Sequence, residues 1–221
     1  MISKVWRLIV GIVFIPIVAG YGLAFFENLV AIRQVQTPWL IFLYGITAYL
    51  SFHVLIAAPT KAYVFGHELM HASAAWISGG KVKGFHVGEK KGSVTTNKIT
   101  AFIALAPYLV PVYSILLAVL YGIAGFFWNV GAWSPWFFFG LGVTLTFHLV
   151  FTISALKEKQ TDLDVAGPVL ALDLILWANL TFVVLAISLM LSEVRFWPYL
   201  ANGFRHSKEL YLSIFHQLFL T

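Results

Sequence analysis

The run ITAFIALAPYLVPVYSILLAVLYGIAGFFWNVGAWSPWFFFGLGVTLTFHLVFTISAL, residues 99–156, contains no Asp, Glu, Lys or Arg. One membrane span needs about 20 apolar residues, so this run is too long for one and suits two. Asn129, Gly131 and the pair Ser134-Pro135 mark the turn between them. On either side, residues 8–26, 39–58 and 169–192 read as further spans, the last interrupted only by Asp173. The whole chain agrees. Its 221 residues are 60% hydrophobic and 10% charged, with a mean hydropathy of +0.88, whereas soluble domains are roughly 45–50% apolar and about 25% charged. An all-α polytopic membrane protein is predicted, with about six helices: five full spans plus the helix carrying FGHELMH, residues 65–71.

The charges report orientation. The net charge of +5 sits mainly in short loops, at Lys81, Lys83, Lys90, Lys91 and Lys98 and at Lys157 and Lys159. That pattern fits membrane topology rather than nucleic-acid binding, so no nucleic-acid partner is expected. It puts the uncharged turn at 124–135 outside and the loop at 157–164 inside, although Arg195, Arg205 and Lys208 in the tail break the pattern. The first apolar run has Lys4 and Arg7 at its start. It is longer than a signal-peptide core and no small-residue cleavage site follows it, so it is read as a retained first span. The chain has no cysteine, which excludes disulfides and thiolate metal sites. No repeat or long hydrophilic stretch appears, so residues 1–221 are expected to form a single multi-pass domain in the lipid bilayer of the cell membrane.

Between residues 79 and 98 the texture changes to GGKVKGFHVGEKKGSVTTNK, short alternating runs split by glycines and lysines. This predicts a β-hairpin or a pair of short strands. Non-helical backbone at membrane depth is tolerated only when buried in protein or lining a wet cavity. A hairpin directly after FGHELMH therefore implies water near that motif, or a surface position. Residues 193–221 mix aromatics with charges, and an interfacial helix suits them better than a span.

On a helix, positions four apart differ by about 40° and rise about 6 Å, so His67 and His71 project side by side and can share one metal ion. Glu68 lies about 100° round from His67, too far to ligate comfortably but able to reach a water held by the metal. This is the His-Glu-x-x-His arrangement, in which the histidines bind zinc and the glutamate is the general base. At this composition it arises by chance in roughly one such sequence in a hundred or fewer. Three polar residues satisfied within a bundle are the competing explanation. Among such apolar neighbours, however, each ionisable group costs several kcal/mol in lipid unless paired or wetted.

A catalytic zinc takes three protein ligands and a water. The third must come from His53, His86, His148, Asp162, Asp164 or Asp173. In KEKQTDLDVAGPVLALDL, residues 157–174, Asp162 and Asp164 begin the last span and point to opposite sides if the backbone is helical. Asp164, just before Gly167-Pro168, has a ready role as a helix cap, which favours Asp162 as the ligand. Asp173, inside an apolar run, also needs a partner and stays open.

The motif in its hydrophobic helix, the strand-like GGKVKGF after it, the span ALAPYLVPVYSILLA and the aspartate in QTDLDVAGP together resemble the site-2 protease family of intramembrane zinc metalloproteases. The likeness covers roughly residues 67–180. It implies a compact form without the regulatory peptide-binding domain, with its catalytic core at about 60–192. By this resemblance His67, His71 and Asp162 would hold one Zn2+ per chain and Glu68 would activate water to cleave membrane-anchored protein substrates. One departure is that the family's aspartate is commonly followed by glycine, whereas Leu163 follows Asp162 here and the glycine comes at Gly167.

The remaining polar residues divide between packing and chemistry. His148 either bonds a neighbouring helix or faces the site, and Asn179 divides similarly. Pro107 and Pro111 are expected to kink their helix. His53 is expected to face the interface or an adjacent helix. Trp128, Trp133, Trp136 and Trp197 read as interfacial aromatics, and His206 and His216 as surface residues. Two alternatives compete with the protease: a non-catalytic metal-binding membrane scaffold or transporter component, and a membrane di-iron oxygenase. The first has no need of Glu68, and the second needs more ligands than one close histidine pair provides.

Overall fold

The computed structural model describes residues 2–34, 36–158 and 160–220. Lys159, counted among the loop cations, lies outside the described residues. In chain order the elements are α1 (Ile2–Ala31), α2 (Thr37–Leu55), α3 (Thr60–Ile77), β1 (Val82–Val87), β2 (Gly92–Thr96), α4 (Ala101–Leu109), α5 (Val112–Phe127), α6 (Ser134–Lys157), α7 (Thr161–Ala166), α8 (Pro168–Ser188) and α9 (Phe196–Phe219). A 3-10 turn at Gly131–Trp133 leads into α6, at the turn that Asn129, Gly131 and Ser134-Pro135 predict.

Helices α1, α2, α6 and α8 are long and apolar enough to cross a membrane. α4 and α5 add a fifth crossing only if the pair, bent by 69°, counts as one span. The expected five full spans thus become four continuous ones and one broken segment. The break falls at Val110-Pro111, where the proline excludes Val110 from helical geometry and leaves it extended at φ −116°, ψ 113°. The described residues hold more helices than the six expected, because this span is split and because α7 and α9 are separate helices.

The chain forms two compact units, residues 37–166 and residues 1–36 with 167–221. In the first, α2 packs closely on α6 through Gly45 and Gly142, where a Cβ on either would meet the other helix's backbone. Tyr49, Phe147 and Phe151 fill the space beside this contact, and Tyr63 of α3 stacks on Phe151 at 4.4 Å. α3 buries Met70, Ala74 and Ala75 against Ile103 and Ala106 of α4. α3 ends in a Schellman motif. Gly79 takes φ +69°, its N–H bonds Trp76 O at 2.9 Å, and Gly80 N–H bonds Ala75 O at 2.7 Å. The sharp exit sends the chain into the antiparallel hairpin β1–β2, folded back beside α3 with Phe85 edge-on to Phe65.

In the second unit α9 runs antiparallel along α1. Tyr211 donates to the Val13 carbonyl, Ser207 Oγ to Ile17 O at 3.3 Å, and His206 Nε2 meets Glu27 Oε1 at 2.8 Å. The tail, expected to be an interfacial helix, is thus packed lengthwise on a candidate span, and His206 is paired rather than a free surface residue. His216 is exposed, as are the four tryptophans read as interfacial.

Candidate metal centre

Four residues apart on α3, His67 and His71 project together, their Nε2 atoms 3.0 Å apart. α7 brings Asp162 to them, with Oδ2 3.6 Å from His67 Nε2 and 3.4 Å from His71 Nε2. Ligand atoms held tetrahedrally at zinc-like bond lengths stand roughly 3.3–3.6 Å from one another. Three donor atoms at 3.0–3.6 Å therefore occupy one face of such a tetrahedron, and the group could hold a metal ion.

A second group orients each donor. His71 Nδ1 lies 2.8 Å from Ile103 O. A carbonyl only accepts, so Nδ1 carries the proton and Nε2 presents its lone pair. Ile103 O is available because the residue four places on is Pro107, which has no N–H to give it. Tyr63 Oη sits 3.2 Å from His67 Nδ1. The hydroxyl of fully buried Tyr108 donates to Asp162 Oδ2 at 3.0 Å. These supporting roles go beyond the sequence reading, in which Pro107 is a kink and Tyr63 and Tyr108 have no assigned part. The i−4 spacing of Tyr63 from His67 is a usable signal; nothing in the sequence ties Tyr108 to Asp162.

Glu68, the next residue on α3, is buried beside β2. A Cβ at Gly92 would come within 2.5 Å of Glu68 Cγ and 2.7 Å of its Oε1, so only glycine leaves that carboxylate where it is. Both carboxylates border a cleft of about 590 Å³, lined also by His67, His71, β2 and the α6–α7 connection. Burial pushes the Glu68 pKa up, against the lowering pull of His67 and His71, which makes it a better proton acceptor. Burial would raise Asp162 too, but the neighbouring imidazoles of His67 and His71 and the hydroxyl of Tyr108 hold it well below the usual carboxylate range. Burial opposes charge on His71 most strongly, but the Asp162 carboxylate, the Ile103 carbonyl and the charge of Glu68 together outweigh it, raising the imidazole pKa.

The other candidate ligands lie elsewhere. Asp164 shares α7 with Asp162 but is exposed. These two aspartates do not begin the last span: α8 starts after Gly167, whose φ of +87° breaks the chain, and Gly167 rather than Asp164 stands at its N-cap. His53 Nδ1 pairs with Tyr49 Oη at 3.0 Å, and His86 is exposed on β1. His148 is buried and lines a separate small cavity of about 20 Å³, whose walls include Tyr63 and His67. Asp173 and Asn179 are buried in α8, where Asn179 Nδ2 donates to Ile175 O at 2.8 Å. Among the described residues no second group of three such side chains gathers.

Fold and site together are consistent with a helical membrane protein carrying a possible metal centre. Comparison with protein-family models, curated proteins and solved structures gives no match.

Proposed function

We propose that the protein is an intramembrane zinc metalloprotease, cleaving membrane-anchored protein substrates within or beside the bilayer of the cell membrane. The observation that carries this reading is the convergence of His67 Nε2, His71 Nε2 and Asp162 Oδ2, with the carboxylate of Glu68 on the same cleft. A zinc ion held there supplies Lewis acidity and a bound water of lowered pKa. His67, His71 and Asp162 would hold the ion at the wall of the cleft. Glu68 accepts a proton from the attacking water and returns it to the leaving amine. Substrate must arrive unwound, because a helix hides its carbonyls in its own hydrogen bonds. β2 lines the cleft and among the described residues pairs only with β1, so its outer edge suits pairing with an extended substrate.

Elemental analysis of detergent-purified protein tests the centre, and Glu68→Gln tests the chemistry. About one zinc per chain is expected, retained in Glu68→Gln while peptide cleavage falls by roughly 100- to 10,000-fold. Zinc binding without cleavage in the wild type would favour the scaffold or transporter reading. Iron in pairs would favour the oxygenase, and absence of any metal would remove the basis of both enzymes. Proline substitutions along β2 should damage cleavage more than zinc content, and equal loss of both would exclude edge pairing.

A further inference from the structure

The hairpin side of the cleft is basic, whereas its acidic lining residues, Glu68, Glu158 and Asp162, come from α3 and from the α6–α7 region. Lys90, Lys91 and Lys98 all line it, from the turn and the far end of the hairpin. Lys98 is committed, its Nζ donating to Ser78 O at 2.6 Å at the end of α3. Lys90 and Lys91 are exposed, and among the described residues no hydrogen bond or ion pair engages either ammonium group. A lysine pair at a hairpin tip is ordinarily solvated surface. These two instead border the same space as His67, His71 and Asp162.

The strand next to them sets the distance. Gly92, Ser93, Val94 and Thr96 of β2 line the cleft, and no residue of β1 does. An extended peptide on that edge passes Glu68 at Gly92, where the absent Cβ lets the two meet. Lys91 and Lys90 are the next two residues along the chain, and an extended backbone advances about 3.3 Å per residue. A side chain two or three residues from the peptide bond at Glu68 therefore comes within reach of these flexible ammonium groups.

Resting on the protease reading, we propose that Lys90 and Lys91 select substrates bearing an acidic side chain within about three residues of the cleaved bond. An exposed ion pair changes affinity by roughly 1.5- to 5-fold, so two cations acting on one acidic segment give a preference of about fivefold at low salt. Screening should remove most of it at about 0.5 M salt.

The test uses full-length Glu68→Gln protein in detergent and three fluorescein-labelled ten-residue peptides. They differ only in carrying Asp, Asn or Lys at two adjacent positions, and metal content is measured on the same samples. The expected result is that the Asp peptide binds about fivefold more tightly than the Asn peptide, that the Lys peptide binds most weakly, and that Lys90→Glu/Lys91→Glu reverses the order while keeping its metal. Equal binding of all three peptides by metal-loaded protein would overturn the selection and leave the protease reading standing. So would an unchanged order in the double variant. Binding of none of the peptides by metal-loaded protein would overturn both the selection and the edge pairing. A metal-free wild type falls instead on the protease reading, and the elemental analysis separates the two failures.

Discussion

Asp162 and Asp173 are two acidic residues on consecutive helices, α7 and α8, and their surroundings differ completely. Asp162 faces two imidazoles and accepts a hydrogen bond from Tyr108, beside an open cleft. Asp173 is buried in a candidate span, and its Oδ2 finds no hydrogen-bond partner among the described residues. On the same face of α8, four residues on, Trp177 Nε1 also lacks one. Asp173 interrupts an apolar run and qualifies as a ligand on cost alone, whereas Asp162 closes the charged stretch KEKQT at 157–161. The contrast shows that the expense of a buried carboxylate reveals that something must compensate it, but not what. For Asp162 the compensation is a set of convergent donors. For Asp173 the described structure offers burial and no hydrogen-bond partner for Oδ2.

The largest expected effect comes from removing each carboxylate in turn. Asp162→Ala should lose metal by more than about a hundredfold in affinity, beyond the usual effect of an outer partner, while Asp173→Ala keeps the wild-type content. Elemental analysis reads both, and the reverse result would assign the ligand to α8. Next comes pH. Metal binds deprotonated ligands, so acidification should weaken binding by about tenfold per pH unit as the His71 imidazole takes its proton. The raised pKa of His71 starts that loss above the ordinary histidine value near 6.5. Asp162, held well below the usual carboxylate range, should stay charged throughout that interval. A further steep loss on entering the ordinary carboxylate range near pH 4 would mean that Asp162 is not the stabilised carboxylate its neighbours make it.

Smaller effects should come from the groups behind the donors. Tyr108→Phe removes the bond to Asp162, and Pro107→Ala gives the helix an N–H that competes with His71 for Ile103 O. Each should weaken metal binding by about 10- to 100-fold without unfolding the protein. Isothermal titration with zinc checks this, and unchanged affinity in Pro107→Ala would show that the proline serves packing alone. Smallest of all, Asp173→Leu removes an unpaired polar group and should raise stability by about 1 kcal/mol, read from thermal melting. A loss of stability would reveal a partner for Asp173.

Much of the site is legible in short stretches of the chain. The apolar run at 99–156, the hairpin at 79–98 and the pair His67 and His71 all follow from local patterns, because span length, alternation and i,i+4 spacing are properties of a short stretch. The preference for Asp162 agrees with the observed geometry, but its supporting argument does not survive, since Gly167 and not Asp164 stands at the start of α8. The tail's packing on α1 is illegible because composition gives a helix its polarity without naming the surface it meets.

The sequence by itself determined the class of molecule and half of the centre. Apolar length specifies candidate crossings, and two histidines and a glutamate within one turn or so of a helix specify a face that could hold a metal, with a carboxylate beside it. Only the tertiary structure decided which carboxylate completes the group, that Pro107 releases a carbonyl to hold His71, and that Gly92 lets a strand lie against Glu68. Those are contacts between residues far apart in the chain. They depend on how helices pack and where the chain breaks, which no local pattern encodes.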